Sequence, residues 1–357
     1  MSPEPTPPAR DQGVIRRYFE HLPVSSDTPI VTLGEGGTPL VFSERLSQRT
    51  GAEVWLKCEG LNPTGSFKDR GMTVAISKAL EEGARAVLCA STGNTSASAA
   101  AYARRAGLVC GVLLPGGHVP LGKLAQTLAH GARLMQIDAN FDAALKVASE
   151  IAHRHPVTLV NSVNPHRIEG QKTAAFEIVE TLGRAPDLHL MPVGNAGNIT
   201  AHWRGYREAA AAGWSAGVPA MHGWQAEGAD PIVRGQVVRE PETIATAIRI
   251  GDPASWAGAL DAAESSGGAI GSVGDTKILD AWRSLADEGV FVEPASATGV
   301  AGLMRMNAQG GVTPGAVVVC VLTGHGLKDP DRAIEATDGP LRVPADVGPI
   351  IEQLDLA

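Results

Sequence analysis

The chain has 357 residues, of which 44% are hydrophobic and 19% charged, and its formal net charge is −8. This length predicts a large core and two domains. The acidic balance, with 4% aromatic residues and no basic run, argues against nucleic acid as the main partner, because phosphate contacts need basic side chains and base stacking needs aromatic ones. No apolar stretch is long enough to span a bilayer, so no membrane partner is expected.

The compartment is predicted from the first residues and from the cysteines. The start MSPEPTPPARDQGVIRR lacks the apolar core of a signal peptide, so we expect a cytoplasmic protein. The cysteines are widely spaced, without a CxxC pair, and are interpreted as reduced core thiols rather than metal ligands; they are Cys58, Cys89, Cys110 and Cys320. No metal is expected.

The first informative element along the chain is a helix at GSFKDRGMTVAISKALEEG, residues 65–83. Ser66 and Asp69 fit the S-x-x-D capping-box pattern, which predicts a helix that begins just after Ser66 and ends at Gly83. Lys68 then lies in the first turn, where the helix dipole disfavours a cation. Because burial would also disfavour the charged amine, Lys68 is a candidate neutral nucleophile; the alternative is an ordinary surface lysine.

From residue 84 onward, apolar β-rich runs alternate with small-residue loops and helical patterns. The runs cover residues 84–90, 108–115, 132–138, 157–162, 187–193, 219–228 and 315–324. They are apolar throughout, which is typical of strands covered on both faces, and their alternation with helices predicts an α/β fold with parallel sheets. Within the stretch 251–289, ESSGGAIGSVGD (residues 264–275) is interpreted as a loop between two helices.

Four polar loops follow predicted strands or open predicted helices: NPTGSFKD, STGNTSAS (residues 91–98), GNAGN (194–198) and TGHG (323–326). Ligands bind beyond the carboxyl ends of parallel strands, and glycines before a helix N-terminus favour a phosphate. Each loop alone is also compatible with a simple turn. A nucleophilic lysine together with a phosphate cradle indicates a phosphorylated aldehyde, pyridoxal 5'-phosphate, as cofactor. Neither GxGxxG nor a Walker pattern is present, which argues against a nicotinamide oxidoreductase.

At this point the motifs resemble a known family. FKDRG, STGNTS, NSVNPHRIEGQKT, GNAGN and TGHGLKD occur in the order found in the threonine synthases, which belong to the tryptophan-synthase-like, fold type II group of pyridoxal-phosphate enzymes. The resemblance runs from GEGGTPL (34–40) to about residue 330. It implies two open, doubly wound sheets with the cofactor in the interdomain cleft, a small mobile domain at residues 61–155, a large cofactor-binding domain at residues 1–60 and 156–357, and a homodimer.

The resemblance also implies residue roles. Lys68 would form the Schiff base and shuttle protons, Asn94 would bind the cofactor's phenolic oxygen, and Thr323 would face the pyridine nitrogen. The cofactor phosphate would be cradled by Gly194, Asn195, Ala196, Gly197 and Asn198. The implied reaction converts O-phospho-L-homoserine and water to L-threonine and phosphate, the last step of threonine biosynthesis. The substrate carboxylate would meet Ser91, Thr92 and Asn94, and its phosphate would meet Thr95, Ser162, Arg167 and Asn195.

Alternatives to these interpretations stay open at the level of sequence. A threonine or serine dehydratase uses the same lysine and cofactor but needs no site for a substrate phosphate, so Ser162 and Arg167 discriminate. A β-replacement enzyme of the cysteine-synthase kind is disfavoured for the same reason. A non-catalytic binding module is disfavoured by Lys68. Arg167 could instead form a surface ion pair with an acid such as Glu169.

Overall fold

Two sheets organise the protein, here described from a computed structural model for residues 12–114, 116, 121–138, 141–335 and 339–354. The described residues form ten strands, in chain order β1 Leu40–Phe42, β2 Glu53–Cys58, β3 Ala86–Ala90, β4 Val109–Leu114, β5 Arg133–Gln136, β6 Val157–Leu159, β7 Leu188–Pro192, β8 Ala220–Ala226, β9 Ala269–Val273 and β10 Val317–Leu322.

Helices connect most of these strands. They are α1 Gly13–Arg17, α2 Glu44–Thr50, α3 Lys68–Glu81, α4 Asn94–Ala106, α5 Leu121–Ala129, α6 Phe141–Arg154, α7 Pro165–Leu182, α8 Gly197–Ala211, α9 Pro231–Arg234, α10 Trp256–Ser266, α11 Asp275–Ala286, α12 Pro294–Ala308, α13 Pro330–Glu335 and α14 Val347–Gln353. Among the described residues, no helix combines the length and the apolar character that crossing a membrane requires.

Both sheets are open and almost entirely parallel. The six-stranded sheet has the order β1-β2-β10-β7-β8-β9, and the four-stranded sheet has the order β5-β4-β3-β6. The antiparallel pair in the described sheets is β1 with β2, at the edge of the larger sheet. The predicted α/β class with two doubly wound sheets is therefore confirmed.

The core lies on both faces of each sheet. In β10, Val318, Cys320 and Leu322 pack into one apolar cluster. Val319 and Val321 pack into another on the opposite face. The smaller sheet shows the same alternation in β3, whose Val87 and Leu88 belong to different clusters. Because both faces are covered, the strands are apolar at every position, as the uninterrupted runs predict.

Three strands, β1, β2 and β9, were not predicted. ESSGGAIGSVGD does lie between two helices, α10 and α11, but its interpretation as a loop is wrong, because Ala269–Val273 within it is β9 and pairs with β8. Its Gly- and Ser-rich composition disfavours a strand locally, but pairing at the sheet edge outweighs that preference. The run EVWLKC was not predicted as a strand, yet as β2 it lies between β1 and β10.

The division into domains at residues 61 and 155 stays a prediction. One feature bears on its second boundary, because β6 pairs in parallel with β3 and so belongs to the four-stranded sheet. The last strand of the smaller sheet therefore lies just beyond residue 155.

A buried histidine pair makes folding stability depend on pH. His189 of β7 and His202 of α8 lie with their rings 5.0 Å apart, and His189 Nδ1 is 3.0 Å from the Tyr206 hydroxyl. Burial lowers the pKa of both, that of His202 to about 3. Between pH 6.5 and 3 the unfolded chain therefore binds protons that the folded chain does not, and the free energy of unfolding falls as the pH falls.

We expect His202→Gln to remove part of this dependence. One buried neutral histidine contributes a slope of up to about 1.4 kcal/mol per pH unit in this range. Denaturant unfolding at pH 7, 5.5 and 4.5 should show a shallower slope for the variant, whereas His155→Gln, at an exposed position, should keep the parent slope. Identical slopes for H202Q and the parent would contradict the assignment.

Candidate active site

Two of the predicted polar loops are in direct contact. The loop before α3 is joined to the loop after β10 by an antiparallel bridge between Ser66 and Gly324. On either side of the bridge, the Phe67 N–H donates to the Thr323 carbonyl (3.1 Å), and the His325 N–H donates to the Gly65 carbonyl (2.9 Å). Two segments more than 250 residues apart in sequence thus form one wall of the site.

The helix that carries Lys68 begins without the predicted capping box. α3 begins at Lys68, and its N-cap residue Phe67 provides no side-chain cap. Asp69 instead accepts hydrogen bonds from the Thr64 N–H (2.7 Å), the Thr64 hydroxyl (2.6 Å) and the Ser98 hydroxyl (2.6 Å). The reciprocal-capping prediction is wrong because the Asp69 carboxylate is used to join the loop before α3 to α4.

Lys68 has the electrostatic environment of a reactive amine. Its ammonium nitrogen lies 4.2 Å from the centre of the Phe67 ring. Burial, together with the nearby Arg167 charge, lowers the pKa of Lys68 to about 7, and the Glu293 charge opposes this shift. A large fraction of the amine is therefore neutral near pH 7, which is what attack on an aldehyde requires.

A buried ion network fixes the first turn of α3. Arg70 is fully buried and donates from Nε and Nη2 to Glu59 (2.7 and 2.8 Å) and from Nη1 and Nη2 to Glu177 (2.8 and 2.6 Å). Lys57 of β2 also donates to Glu177 (2.6 Å). Helices α3 and α7 touch here, because a Cβ at Gly170 would lie 1.9 Å from the Arg70 carbonyl oxygen. The network locks α3 to β2 and α7.

We expect Arg70→Met to destabilise the protein by about 3–5 kcal/mol, because two buried carboxylates lose their shared counter-ion. Urea unfolding followed by circular dichroism measures this. Arg45→Met is the matched control, since the Arg45–Asp287 pair is exposed (57% and 64%) and its loss should cost less than about 0.5 kcal/mol. A loss of less than 1 kcal/mol in R70M would contradict the role of the network.

Asn94 begins α4 and faces a carboxylate from the other sheet. Its Nδ2 lies 3.1 Å from each carboxyl oxygen of Glu293, the residue before α12. The predicted loop 91–98 is shorter than expected, since α4 starts at Asn94. Ser91 and Thr92 lie in the preceding loop and Thr95 in the first turn, and all three are partly buried.

The GNAGN segment forms the start of α8. Ala196 is the N-cap residue with φ of 64°, and it offers no side-chain cap to the helix N–H groups. Asn198 is buried, and neither its Nδ2 nor its Oδ1 has a partner among the described residues. Asn195 donates to the Ser162 hydroxyl, and its Oδ1 accepts from the Ala254 N–H at 2.6 Å. A left-handed turn, free helix N–H groups and an unpartnered amide form a cradle for a phosphate.

Thr323 is held by a residue that the sequence analysis missed. Thr323 is buried, and its hydroxyl lies 3.1 Å from the Ser296 hydroxyl of α12. Ser296 also bonds the backbone of Gly324, as acceptor from its N–H (2.9 Å) and donor to its carbonyl (3.1 Å). The hydroxyl of Thr323 is therefore fixed in direction.

Arg167 is a buried cation with unused donors. The residue is fully buried and donates from Nη1 to the Val160 carbonyl (2.8 Å), while its Nε and Nη2 have no partner within the described part of the chain. It lies against the first turn of α3, since a Cβ at Gly71 would be 2.8 Å from its Nε. The alternative of an ion pair with Glu169 is wrong, because Glu169 pairs with Lys172 and Arg204. An unpartnered buried guanidinium is costly unless an anion binds it.

The structure thus places the loop of Lys68 against Thr323 and the turn after it against Arg167. It also joins Asn195 of the 194–198 segment to the predicted Ser162. Glu293 and Ser296 were missed. The signal that could have found them is EPAS, in which an acidic residue and a Pro open a helix of small residues.

Comparison with known proteins identifies the family. Residues 31–324 match the model of a family described as pyridoxal-phosphate dependent enzyme, and the chain belongs to this family. The threonine synthase of Mycobacterium tuberculosis (strain ATCC 25618 / H37Rv) is 57% identical over 347 residues, which are 97% of this chain and 96% of that protein. The threonine synthase of Methanocaldococcus jannaschii is 50% identical over 349 residues, 95% of this chain and 86% of that protein.

Solved structures share the fold. The processed form of threonine deaminase isoform 2 from Solanum lycopersicum has a TM-score of 0.75 at 22% identity and covers 90% of this chain and 92% of its own. Maize serine racemase has a TM-score of 0.71 at 22% identity and covers 81% of this chain and 88% of its own. At these identities the likeness establishes the fold type II architecture alone.

Proposed function

We propose that this chain binds pyridoxal phosphate through Lys68 and converts O-phospho-L-homoserine and water to L-threonine and phosphate, the reaction of a threonine synthase. The observation that carries the proposal is the buried guanidinium of Arg167, whose Nε and Nη2 lack partners beside Lys68. The identity to curated threonine synthases over nearly the whole chain supports the same reaction.

The residues fit the cofactor. Lys68 offers an amine that burial keeps largely neutral, the α8 N-terminus with the unpartnered Asn198 offers a phosphate cradle, and Asn94 and Thr323 offer polar groups on opposite sides of the cleft. Pyridoxal phosphate supplies an electron sink for a carbanion formed beside a bound amino group.

The substrate phosphate is assigned to a second anion site. Among the described residues, Nε and Nη2 of Arg167 have no partner, and Asn195 of the cradle donates to the Ser162 hydroxyl. Arginine suits a phosphate because its planar fork donates two hydrogen bonds at once. Thr95 would complete this site, and Ser91, Thr92 and Asn94, at the start of α4, would hold the substrate carboxylate through hydroxyl, amide and backbone N–H groups.

Lys68 is assigned the proton transfers. With a pKa of about 7, its amine can both accept and return a proton near neutral pH. The reaction removes one proton from Cα and one from Cβ and expels phosphate from Cγ. It then returns a proton to Cγ, adds the hydroxyl of water at Cβ and returns a proton to Cα, and the remaining water proton goes to the released phosphate. Arg167 would bind the departing phosphate dianion and so favour its release.

A dehydratase acting on threonine is the competing function, because the fold is shared with a threonine deaminase. Such an enzyme has no substrate phosphate, and the free donors of Arg167 would then lack a ligand. The burial of this arginine favours the phosphorylated substrate.

A paired assay tests the proposal. Purified protein with pyridoxal phosphate is given O-phospho-L-homoserine in one tube and L-threonine in the other. We expect threonine and free phosphate in the first tube. A keto acid in the second tube, with no phosphate release in the first, would establish a dehydratase instead.

We further propose that the protein acts in the cytoplasm as a homodimer, without nucleic-acid or membrane partners. All four cysteines are buried and unpaired, which suits a reducing compartment. Sedimentation analysis of the purified chain tests the dimer.

A further inference from the structure

Glu293 is a buried carboxyl group to which nothing above assigns a task. It is 4% exposed and lies at the N-cap position of α12, but its side chain makes no hydrogen bond to that helix. The hydrogen bonds that its carboxyl group accepts come from Asn94 Nδ2, which lies 3.1 Å from each oxygen. A carboxyl group taken out of water for a single amide is costly, so its position calls for a function beyond stability.

The backbone around Glu293 is built to hold this geometry. Its N–H donates to the Gly324 carbonyl (3.1 Å), and Val292 and His325 form an antiparallel bridge beside it. A Cβ at Gly324 would lie 2.3 Å from a Glu293 carboxyl oxygen, so a larger residue at this position would displace the carboxyl group from its place against Asn94. The charges that face Glu293 are Lys328, Asp329 and Lys68, of which the two lysines favour its ionised form.

We infer that Glu293 is a positioning residue, which holds the Asn94 amide across the cleft so that its N–H groups are presented to the bound cofactor. An asparagine side-chain amide can rotate and has two N–H donors. When a carboxyl group accepts a hydrogen bond from one N–H, the direction of the other N–H is fixed. The carboxyl group comes from the six-stranded sheet side and the amide from the four-stranded sheet side, so the pair also sets the separation of the two walls. Burial raises the pKa of Glu293 to about 7, against the effect of the Asn94 hydrogen bond.

The test measures cofactor affinity and needs no substrate. The inference rests on the proposed function only for the identity of the cofactor, so it would still stand if the protein failed to make threonine. Pyridoxal phosphate is titrated, with the visible absorbance of the bound cofactor as readout, into the full-length parent, N94A, E293A and the double variant. We expect each single variant to bind the cofactor about 10-fold more weakly than the parent. The double variant should bind no more weakly than either single variant. A double variant about 100-fold weaker, the product of independent effects, would overturn the inference.

A conservative variant separates positioning from mere structure. Glu293→Gln keeps an oxygen that can accept from Asn94, so its affinity for the cofactor should return to within about 3-fold of the parent. Affinity as weak as that of E293A would overturn the inference. Glu227→Gln, at an exposed position, is the matched control and should bind as the parent does.

If E293A does not fold, as judged by circular dichroism, Gly324→Ala replaces it in the cycle. Its methyl group displaces the Glu293 carboxyl group and leaves the residue itself in place. N94A and G324A should again be non-additive, and additive losses would contradict the inference.

Discussion

Lys68→Ala is expected to lower turnover of O-phospho-L-homoserine by at least about 10⁴-fold, because the same amine is assigned the covalent link and the proton transfers. The visible absorbance of the bound cofactor should disappear at the same time. Product assays and an absorption spectrum of the purified variant measure the two losses. The fold should survive, since the buried network that anchors α3 runs through Arg70 and leaves the Lys68 amine out.

Lys68→Arg provides the sharper comparison. It keeps a cation at the same position, but a guanidinium stays protonated and cannot act as a nucleophile. A purely electrostatic role for Lys68 predicts substantial activity in K68R, whereas the proposed role predicts none. Lys277→Ala, 73% exposed, should behave as the parent does. Turnover in K68A within 100-fold of the parent would refute the assignment.

Arg167→Met is expected to separate function from stability. Loss of a buried charge-assisted contact with the substrate phosphate should lower kcat/KM for O-phospho-L-homoserine by about 10²–10³-fold. The free energy of unfolding should not fall, and a rise of about 1–2 kcal/mol is expected, because a buried guanidinium with two unpartnered nitrogens is replaced by an apolar chain of similar length. Steady-state kinetics and urea unfolding measure the two effects.

Inorganic phosphate gives an independent measurement at the same residue. Phosphate should inhibit the parent competitively and should inhibit R167M far more weakly. Arg204→Met is the matched control, since Arg204 is half-exposed and pairs with Glu169 and Glu208. If R167M were fully active and still inhibited by phosphate, the assignment of the second anion site would be wrong.

The sequence could predict those parts of the site that follow a strong local pattern. Apolar runs located seven of the ten strands, and small-residue loops after them contained Asn94, Asn195 and Thr323. Lys68 was identified from its place at a helix start. These features depend on a few neighbouring residues, and the fold preserves them.

The parts that could not be predicted depend on distant partners. Asn94 and Glu293 are 199 residues apart, and no local pattern reports that they touch. Asp69 fits a capping box, but Thr64 and Ser98 offer it better hydrogen bonds in the folded chain. In β9 a composition typical of loops becomes a strand because β8 offers it an edge.

The bridge between Ser66 and Gly324 has a mechanical consequence. Although Lys68 belongs by number to the predicted smaller domain, its loop is joined to the end of β10, and Arg70 is bound to Glu59, just after β2, and to Glu177 of α7. The residue after Lys68, Asp69, also accepts from Ser98 of α4, so the helix that begins at Asn94 is tied to the same turn. The fold itself therefore holds Lys68, Thr323 and Asn94 in place relative to one another.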